Sequence, residues 1–449
     1  MAPNMKRGST DDGTVSPPPL KRGKQSTVTQ KAVANFFTPA SKKEKVPEKV
    51  TWRIANDSLV VGTFKPPEVS ETREDKRRKI AGFDFDSTLI STSSGNVFGK
   101  DAQDWKWWDG IVPKKLRSLY EDGYYVVIFS NQSGISLKSD KKTTNVDKKR
   151  FADFKTKTAA VFEDLNIPIS IYAATAKDMY RKPRTGMWNE FLQEHELDPS
   201  SDLVLEHCIF VGDAGGRAEG SQGKRKDFSC SDRDFAFNIG IPYMTPEEFF
   251  LGTEAQPFMR EFDPSTYLGA DQAASTDSTP LVFSKANELD LVLLCGSPGA
   301  GKSTFYWNHL KPLGYERVNQ DNLKTRERCL KVAEAFLKEG SSVVVDNTNP
   351  DEHTRKAWVN VAKKLNVPIR CVLFTAGAKL GEHNDAVRAL NDLKTNPENR
   401  AMLPRMAFNS FTSRFRDPSL EEGFQDITKV DFKFEGSEEQ KEVWRRFWL

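Results

Sequence analysis

The chain has 449 residues, of which 37% are hydrophobic and 29% are charged, with a formal net charge of only +3. This length suffices for two or three domains with their own cores, and no apolar run is long enough to cross a bilayer. Five cysteines lack CxxC or Cys/His spacing, which argues against a zinc site and favours a reducing, intracellular compartment. The small net charge does not by itself indicate a nucleic-acid partner.

Residues 1–48 are rich in Lys, Pro, Ser and Thr, and we predict a disordered tail. Two short basic clusters, Lys6-Arg7 and 21–24, fit a nuclear import signal or, equally well, a tail that only adds solubility. We therefore expect a nuclear protein.

The same tail carries a pair of adjacent phenylalanines, which cost solubility in a disordered segment unless something covers them. The spacing resembles the box that docks on the sliding clamp PCNA as one helical turn. The residues that make this pattern are Gln30, Val33, Phe36 and Phe37. The resemblance implies PCNA as a partner.

Apolar segments alternate with helical ones from Thr51 onwards. We predict helices at Lys148–Leu165 and Gly186–His195. The predicted strands are Ile80–Phe85, Tyr125–Ser130, Ile169–Ala173, His207–Val211 and, more weakly, Phe237–Ile241. Strands that alternate with helices predict an α/β fold, with a doubly wound parallel sheet covered on both faces.

Carboxylates and other polar residues follow these predicted strands. Asp84 and Asp86 are two residues apart at a strand end, so both side chains point to the side where open α/β sheets bind ligands. Two carboxylates this close need a proton or a cation between them, and Mg²⁺ prefers such oxygen ligands. Ser130, Lys182 and Asp213 follow later, each in a strand-end or loop position. A surface turn could also hold an acidic pair.

In this order, the five residues resemble the motifs of the haloacid-dehalogenase phosphatase superfamily. The resemblance implies that Asp84 is the nucleophile, and that Asp86 is first general acid and then general base. Ser130 and Lys182 would hold the phosphoryl oxygens. Asp213 would bind Mg²⁺ together with Asp84 and the backbone carbonyl of Asp86.

The stretch from Thr253 to Ser284 is small and polar, so we predict a linker at 256–286, or else a long surface loop. It would separate a phosphatase domain at 49–255 from a second α/β domain at 287–449.

A glycine-rich loop opens this second domain. The apolar run Leu289–Cys295 leads into GSPGAGKS at 296–303, which has the form GxxxxGK[ST] after a strand. Such a loop cradles the phosphates of ATP with backbone N–H groups, while its lysine contacts the β- and γ-phosphates and its serine contacts Mg²⁺. The predicted ATP-binding residues are Gly296, Gly299, Gly301, Lys302, Ser303 and Thr304.

Three further residues complete the predicted kinase site. Asp321 could accept the proton of an attacking hydroxyl, or it could cap the helix that follows. Asp346 ends the apolar run at 343–345, which is typical of the Walker B carboxylate that meets the metal. Arg388 is the first choice among several arginines for a lid over the phosphates, although a solvated helix face is an equally good explanation.

A phosphatase of this type ahead of a P-loop kinase resembles the eukaryotic polynucleotide kinase/3′-phosphatases. Stretches that carry the likeness include 181–188, 210–217, 226–233, 245–250, 319–321 and 346–350. The resemblance implies DNA ends as substrate, removal of 3′-phosphates and ATP-dependent phosphorylation of 5′-hydroxyls. We also expect a monomer.

Two departures from the family stand out. The first fifty residues are too few and too polar for the forkhead-associated domain of animal members, so this chain would be of the fungal type. The basic loop expected after Gln132 reads instead Gly134-Ile-Ser-Leu-Lys138. Two alternatives stay open: an RNA end-healing enzyme with the same chemistry, and a scaffold that has lost activity.

Other basic and aromatic clusters could serve a nucleic-acid substrate. Lys141-Lys142, Lys148–Arg150 and Lys224–Lys226 could follow the phosphate backbone, or could be solvated loops. Trp105, Trp107 and Trp108 could stack on bases, although packing against the sheet is the favoured interpretation.

Overall fold

The computed structural model describes residues 49–449, apart from 68–77, 138–143, 220–225, 228, 269–282, 392–395 and 397–398. Residues 1–48 lie outside this description, and with them the basic clusters and the predicted PCNA box at Gln30, Val33, Phe36 and Phe37. Lys138, Lys141, Lys142, Lys224 and Arg225 also lie outside the described residues. Within the described part, the helices are too short or too polar to pass through a membrane.

The first half of the chain builds one seven-stranded sheet and a small two-stranded ribbon. The strands in chain order are β1 (Val50–Ala55), β2 (Leu59–Phe64), β3 (Lys79–Phe83), β4 (Ile90–Ser91), β5 (Lys106–Trp107), β6 (Tyr124–Asn131), β7 (Ile169–Ala174), β8 (Ile209–Val211) and β9 (Tyr243–Met244). The order across the sheet is β1-β2-β7-β6-β3-β8-β9, while β4 and β5 pair with each other. The five strands that are neighbours in the order β7-β6-β3-β8-β9 run parallel, as the sequence predicts.

Helices cover both faces of this first sheet. They are α1 (Val112–Glu121), α2 (Asn145–Leu165), α3 (Gly186–Glu194), α4 (Ser231–Ile239) and α5 (Pro246–Leu251). Alternate residues of β6 enter different cores, since Val126 and Ile128 pack with α1 and α2, whereas Val127 and Phe129 pack with α3 and α4. This alternation follows from the two-residue period of a strand, and it produces a doubly wound sheet.

Two features of the first sheet differ from the sequence prediction. The predicted strand Phe237–Ile241 is wrong, because this segment is the last turn of α4, which ends at Gly240 in the left-handed conformation. The hairpin of β1 and β2 was not predicted, and it adds two antiparallel strands beside β7. The sheet is therefore mixed rather than wholly parallel.

The second half of the chain builds a five-stranded sheet that is parallel throughout. Its strands are β10 (Leu291–Cys295), β11 (Glu316–Val318), β12 (Val343–Val345), β13 (Ile369–Phe374) and β14 (Ile427–Val430), in the order β11-β12-β10-β13-β14. The three central strands β12, β10 and β13 are buried along their whole length, whereas the edge strands β11 and β14 are partly exposed.

The helices of this half are mostly short. They are α6 (Lys302–Phe305), α7 (Gln320–Leu323), α8 (Arg326–Lys338), α9 (Glu352–Leu365), α10 (Ala378–Leu390), α11 (Arg405–Arg414) and α12 (Glu438–Trp444). Helices α8 and α9 cover one face of the sheet, while α10 and α12 pack on the other. We call this half the C-lobe, with described residues from 283 to 449, and the first half the N-lobe, from 49 to 268.

Residues 256–268, which begin the predicted linker, contact both lobes. Phe258 forms an isolated β-bridge with Arg217 of the N-lobe. The ring of Phe262 lies 4.9 Å from that of His383 on α10. A short 3₁₀-helix at Pro264–Tyr267 follows. This part of the segment is therefore packed against the protein.

Candidate active sites

The first candidate site lies at the carboxyl ends of three adjacent strands. Asp84 follows β3 and donates its backbone N–H to the carbonyl of Val211 at the end of β8 (2.8 Å). Ser130 lies near the end of β6, and Asp213 lies two residues after β8. Because β6, β3 and β8 are neighbours in a parallel sheet, these side chains meet at one edge, as the sequence predicts.

Lys182 provides the positive charge of this site. Its ammonium lies 2.9 Å from Asp84 Oδ1 and 2.8 Å from Asp232 Oδ1, and the side chain is almost fully buried. Burial alone would lower the pKa of Lys182, but Asp232 and Asp84 outweigh it and raise that pKa. The lysine is therefore held charged between two carboxylates.

Three carboxylates surround this single lysine. Ligand oxygens of Asp84, Asp213 and Asp232 all lie within 4.8 Å of one another. Burial raises the pKa of Asp84 to about 6, with Asp232 adding to the effect and Lys182 opposing it. Burial, Asp84 and Asp232 raise the pKa of Asp213 to about 8. Three carboxylates against one ammonium leave excess negative charge, so this donor set fits a divalent cation that prefers oxygen ligands, such as Mg²⁺.

Asp86 lies apart from this cluster, on the exposed side of the site. Its carboxylate is about half exposed and accepts from Lys157 Nζ of α2 (3.0 Å) and from Gln132 Nε2 (2.7 Å). The same Gln132 amide donates to the hydroxyl of buried Ser130 (3.1 Å). A carboxylate in contact with solvent and held by two donors can reach a substrate oxygen or a water, which suits the predicted acid and base role.

Asp232 is the member of this site that the sequence did not single out. It lies in the first turn of α4, where its Oδ2 also accepts from the backbone N–H of Ala214 (3.0 Å). The segment 226–233 contributed to the family resemblance, but an aspartate in a helix start commonly serves as a cap or dipole partner. Only the packing of α4 against β8 brings Asp232 to Lys182.

The basic cluster at Lys148–Arg150 lies on the helix whose Lys157 contacts Asp86. Residues Lys148–Arg150 are exposed on the first turns of α2, the helix that also carries Lys157. The three tryptophans at 105, 107 and 108 pack against the first core, and Trp107 donates to Asp164 (2.8 Å). The core-packing interpretation of these tryptophans is therefore confirmed.

The second candidate site is built around the loop at 296–303. Gly301 caps α6 with a φ of +91°, and Gly299 has a φ of +70°. A Cβ on Gly299 would overlap the carbonyl oxygen of Gly381, so α10 can pack on the loop only where a glycine stands. Lys302 donates to the carbonyls of Gly296 (3.0 Å) and Ser297 (2.6 Å). Burial lowers the pKa of Lys302 to about 8.

Ser303 and Asp346, the two residues predicted to bind Mg²⁺ here, are in direct contact. The Ser303 hydroxyl donates to Asp346 Oδ2 (2.8 Å). Arg317 of β11, which the sequence analysis did not consider, donates to the same oxygen from Nε (2.9 Å) and Nη2 (2.5 Å) and to Ser303 Oγ (3.2 Å). A guanidinium therefore neutralises the carboxylate at the place predicted for the cation.

Asp321 follows β11 and lies in the first turn of α7. The cap of this helix is Asn319, whose side chain accepts from the Asp321 N–H (2.8 Å), so the capping alternative for Asp321 is wrong. The Asp321 carboxylate is largely exposed and pairs with Arg400 (3.3 Å). Among the smaller influences on the pKa of Lys302, Arg400 lowers it and Asp321 raises it.

Arg388 lies on α10, and its guanidinium pairs with Asp385. Asp385 Oδ2 also accepts from the backbone N–H of Leu403 (2.7 Å). The arginine that contacts Asp321 is Arg400, which follows α10, and not Arg388. A lid role for Arg388 stays a prediction.

A cavity of ≈ 230 Å³ is lined in part by Gln320, the residue before Asp321. Gln320, Arg326 and Arg414 line it with polar groups, and Trp358 contributes an aromatic surface. It is roomy enough for part of a polar acceptor.

Comparison with known proteins agrees with this division into two sites. Residues 79–250 match the family described as polynucleotide kinase 3 phosphatase, and residues 291–418 match a family described as AAA domain. A bifunctional polynucleotide phosphatase/kinase of Schizosaccharomyces pombe is 42% identical over 86% of this chain and 85% of its own length. A putative bifunctional polynucleotide phosphatase/kinase of Acanthamoeba polyphaga mimivirus is 34% identical over 83% of this chain and 89% of its own length. The polynucleotide 3′-phosphatase of Saccharomyces cerevisiae is 27% identical over 43% of this chain and 96% of its own length.

Proposed function

The chain belongs to the family of bifunctional polynucleotide phosphatase/kinases, and on that premise we propose that it mends DNA ends. The N-lobe site removes 3′-phosphates, and the C-lobe site transfers the γ-phosphate of ATP to 5′-hydroxyls. The observation that carries this proposal is the presence of two separate phosphate-handling sites in one chain. One is the Lys182 cluster and the other is the loop at 296–303, each at the carboxyl edge of its own sheet.

In the N-lobe site, Asp84 attacks the phosphorus of the 3′-phosphomonoester and forms an aspartyl-phosphate. Asp86 donates a proton to the leaving 3′-oxygen, and afterwards takes a proton from the water that hydrolyses the intermediate. Lys182 neutralises Asp84 before attack and holds a phosphoryl oxygen during it. Ser130, buried and close to Gln132, donates to another oxygen of the same group.

Asp84, Asp213 and Asp232 would hold Mg²⁺ in this site. The cation would neutralise the charge of the phosphoryl group and so lower the barrier to attack by an anionic nucleophile. Burial is the main cause of the raised pKa values of Asp84 and Asp213, and neighbouring carboxylates add to it, so a bound cation would favour the charged form of both groups.

In the C-lobe site, Asp321 accepts the proton of the attacking 5′-hydroxyl. The cavity lined in part by Gln320 receives the acceptor strand, and Arg326 and Arg414 give that cavity positive charge. Lys302 turns from the loop carbonyls to the phosphates of ATP, and Ser303 and Asp346 would hold Mg²⁺. Arg388, in the adjoining α10, is proposed to approach the transferred phosphoryl group.

The choice of DNA over RNA is supported by the tail rather than by either site. A box for a DNA sliding clamp at Gln30, Val33, Phe36 and Phe37, together with the two basic clusters, suits a monomeric nuclear repair enzyme. A direct test compares turnover on DNA and RNA ends of identical sequence, at 3′-phosphates and at 5′-hydroxyls. A clear preference for RNA ends would replace this proposal with the RNA end-healing alternative.

Two substitutions test the assignment of activities to sites. We expect Asp84→Asn to abolish release of 3′-phosphate while 5′ phosphorylation continues, because the amide cannot act as nucleophile. Lys302→Ala should have the reverse effect, because it removes the charge that meets the ATP phosphates. Asp122→Asn, in the exposed turn after α1, and Lys331→Ala, on the exposed face of α8, are matched controls that should leave both activities intact. Loss of both activities in either folded site variant would contradict the two-site assignment.

The tail is tested separately by a PCNA pull-down. The double substitution Phe36→Ala and Phe37→Ala should abolish binding, because the aromatic plug is removed while the chain stays intact from residue 49 onward. The proposal of a clamp box fails if binding persists at the wild-type level.

A further inference from the structure

The turn at 181–184, which carries Lys182, is held from two directions. On the sheet side, Asn131 at the end of β6 forms a pair of hydrogen bonds with the Lys182 backbone, accepting from its N–H (2.9 Å) and donating to its carbonyl (3.2 Å). On the far side, Arg184 bonds to the C-lobe directly, and Pro183 is linked to it through Asn238 of α4.

The C-lobe partner of this turn is the segment Phe447-Trp448, which follows α12. The guanidinium of buried Arg184 donates twice to the carbonyl of Trp448, from Nε (3.1 Å) and Nη2 (2.9 Å), and once to the carbonyl of Asp178 (2.8 Å). An arginine fork closed on one carbonyl in a buried site fixes both position and orientation.

Asn238 of α4 ties the same two segments together. Its amide donates to the carbonyls of Pro183 (2.9 Å) and Phe447 (2.7 Å), while its oxygen accepts from the N–H of Phe447 (2.9 Å). The Phe447 ring is buried, edge-on to Phe237 at 5.1 Å and beneath Arg260 at 4.5 Å. The Asn238 side chain therefore connects Phe447 of the C-lobe to the carbonyl of Pro183, the residue after Lys182.

We propose that Phe447 and Trp448 of the C-lobe, through Asn238 and Arg184, are positioning residues for Lys182 in the N-lobe site. This inference rests on the proposed phosphatase function. The kinase half would thus complete the phosphatase half, since Asn131 of the N-lobe holds the Lys182 backbone, whereas Asn238 and Arg184 link the next two residues to 447–448 of the C-lobe.

The chemistry of Lys182 makes its placement matter. Its ammonium has to stay within ion-pair distance of Asp84 and Asp232 and still reach a phosphoryl oxygen during attack, so a small displacement costs transition-state stabilisation more than substrate binding. When Pro183 and Arg184 are loosened, the Lys182 backbone keeps its two hydrogen bonds to Asn131 but loses the support of the two residues that follow it. If residues 447–448 served only to pack the lobes together, their substitution would instead affect both activities alike.

The test is a double-mutant cycle that combines Asn238→Ala with Lys182→Ala in the full chain. In the wild-type background we expect Asn238→Ala to lower kcat for 3′-phosphate release by about fivefold or more, with KM changed less than about twofold. In the Lys182→Ala background the same substitution should change kcat by less than about twofold, because its effect passes through the missing lysine. An activated aryl phosphate keeps the slow variants measurable.

Kinase activity of each variant serves as the internal reference for folding and should stay within about twofold of wild type. Phe447→Ala provides the second, C-lobe side of the cycle and should reproduce the kcat loss. Lys379→Ala, which breaks another contact between the segment at 256–268 and the C-lobe, is the matched control and should change neither activity.

Each outcome decides the matter. Additive losses in the cycle, an equal fall of both activities, or an unchanged kcat in Asn238→Ala and Phe447→Ala would each overturn the proposal. An inactive wild-type phosphatase, or a Lys182→Ala variant as fast as wild type, would instead contradict the proposed function.

Discussion

At the scale of single residues, charge in this molecule is set by neighbours as much as by residue type. Lys182 and Lys302 are both buried, yet two carboxylates raise the pKa of the first, whereas burial lowers the pKa of the second to about 8. Both lysines are predicted to meet phosphate oxygens. The first is held in place before substrate arrives, and the second rests on carbonyls that phosphates would replace.

Asp232 offers a test of the carboxylate cluster. We expect Asp232→Asn to reduce kcat for 3′-phosphate release by roughly a hundredfold, because it removes one of the two charges that hold Lys182 and one predicted oxygen ligand of Mg²⁺. Kinase activity should be unaffected. Steady-state assays at several Mg²⁺ concentrations check this, with Asp122→Asn as control, and a near-normal kcat would remove Asp232 from the site.

Arg317 offers a second residue-scale test. Its guanidinium and Mg²⁺ would compete for the same oxygen of Asp346, so Arg317→Met should lower the Mg²⁺ concentration needed for nucleotide binding by about fivefold, equivalent to roughly 1 kcal/mol. Methionine keeps a long apolar side chain at this position, while it removes the guanidinium that lies 5.7 Å from the centre of the Trp307 ring. The measurement is the melting temperature against Mg²⁺ concentration with a non-hydrolysable ATP analogue, with exposed Arg328→Met as control. A higher Mg²⁺ requirement would show that Arg317 assists the cation instead.

At the scale of elements, α10 shows how a helix supports a loop that lies far from it in the sequence, the ATP loop at 296–303. Gly381 of α10 packs on Gly299, Asn384 donates to the Gly299 carbonyl (3.0 Å), and Trp444 of α12 donates in turn to Asn384 (2.8 Å). The helix therefore fixes the back of the ATP loop from residues about 85 positions later.

His383 of the same helix predicts a pH effect on stability. Burial lowers its pKa to about 4, whereas the ordinary pKa of an exposed histidine in the unfolded chain is about 6.5. Below pH 6.5 the unfolded state binds a proton that the folded state refuses, so stability falls as pH drops from 6.5 to 4. From pH 7 to 5 this group accounts for about 2 kcal/mol.

Urea unfolding at pH 7 and pH 5 measures this effect. We expect His383→Gln to lose about 2 kcal/mol less than wild type over that interval, since glutamine can still donate to the Trp444 carbonyl but does not titrate. Exposed His353→Gln should behave as wild type. Identical pH dependence in His383→Gln and wild type would mean that the buried histidine is not responsible.

Elements were predictable where the local pattern and the tertiary environment agree. The apolar strands β3, β6, β7 and β10 were found because they are buried on both faces and read as continuous apolar runs. Phe237–Ile241 failed because three apolar residues near a glycine read as a strand, whereas the preceding residues continue a helix that Gly240 ends. The β1 and β2 hairpin was missed because its partner, β7, lies more than a hundred residues away.

At the scale of the whole molecule, the two lobes share buried contacts. Arg184 and Asn238 join the N-lobe to 447–448, and Phe262 packs on His383. Residues Lys49–Leu449 accordingly form one compact unit. Each lobe therefore carries its own candidate site, while buried contacts between the lobes stabilise both.

This shared support predicts cooperative unfolding. Scanning calorimetry should show one transition for the two lobes, and a non-hydrolysable ATP analogue, which binds only the C-lobe, should move that transition as a whole. At a hundred times its dissociation constant the ligand adds about 2.7 kcal/mol. Two transitions, with only one shifted by the analogue, would show that the lobes unfold independently.

The sequence by itself determined the chemistry, because each motif is local: Asp84 and Asp86 are two residues apart, and the ATP loop occupies eight consecutive positions. It also determined that two α/β units follow one another, since apolar periodicity is local too. Tertiary structure alone decided three ion pairs, namely Asp232 with Lys182, Arg317 with Asp346 and Arg400 with Asp321. It also decided that residues 447–448 form hydrogen bonds with the turn that carries Lys182. These contacts join residues separated by 29 to 264 positions, such as Arg184 and Trp448, and no local pattern encodes which distant side chains will meet.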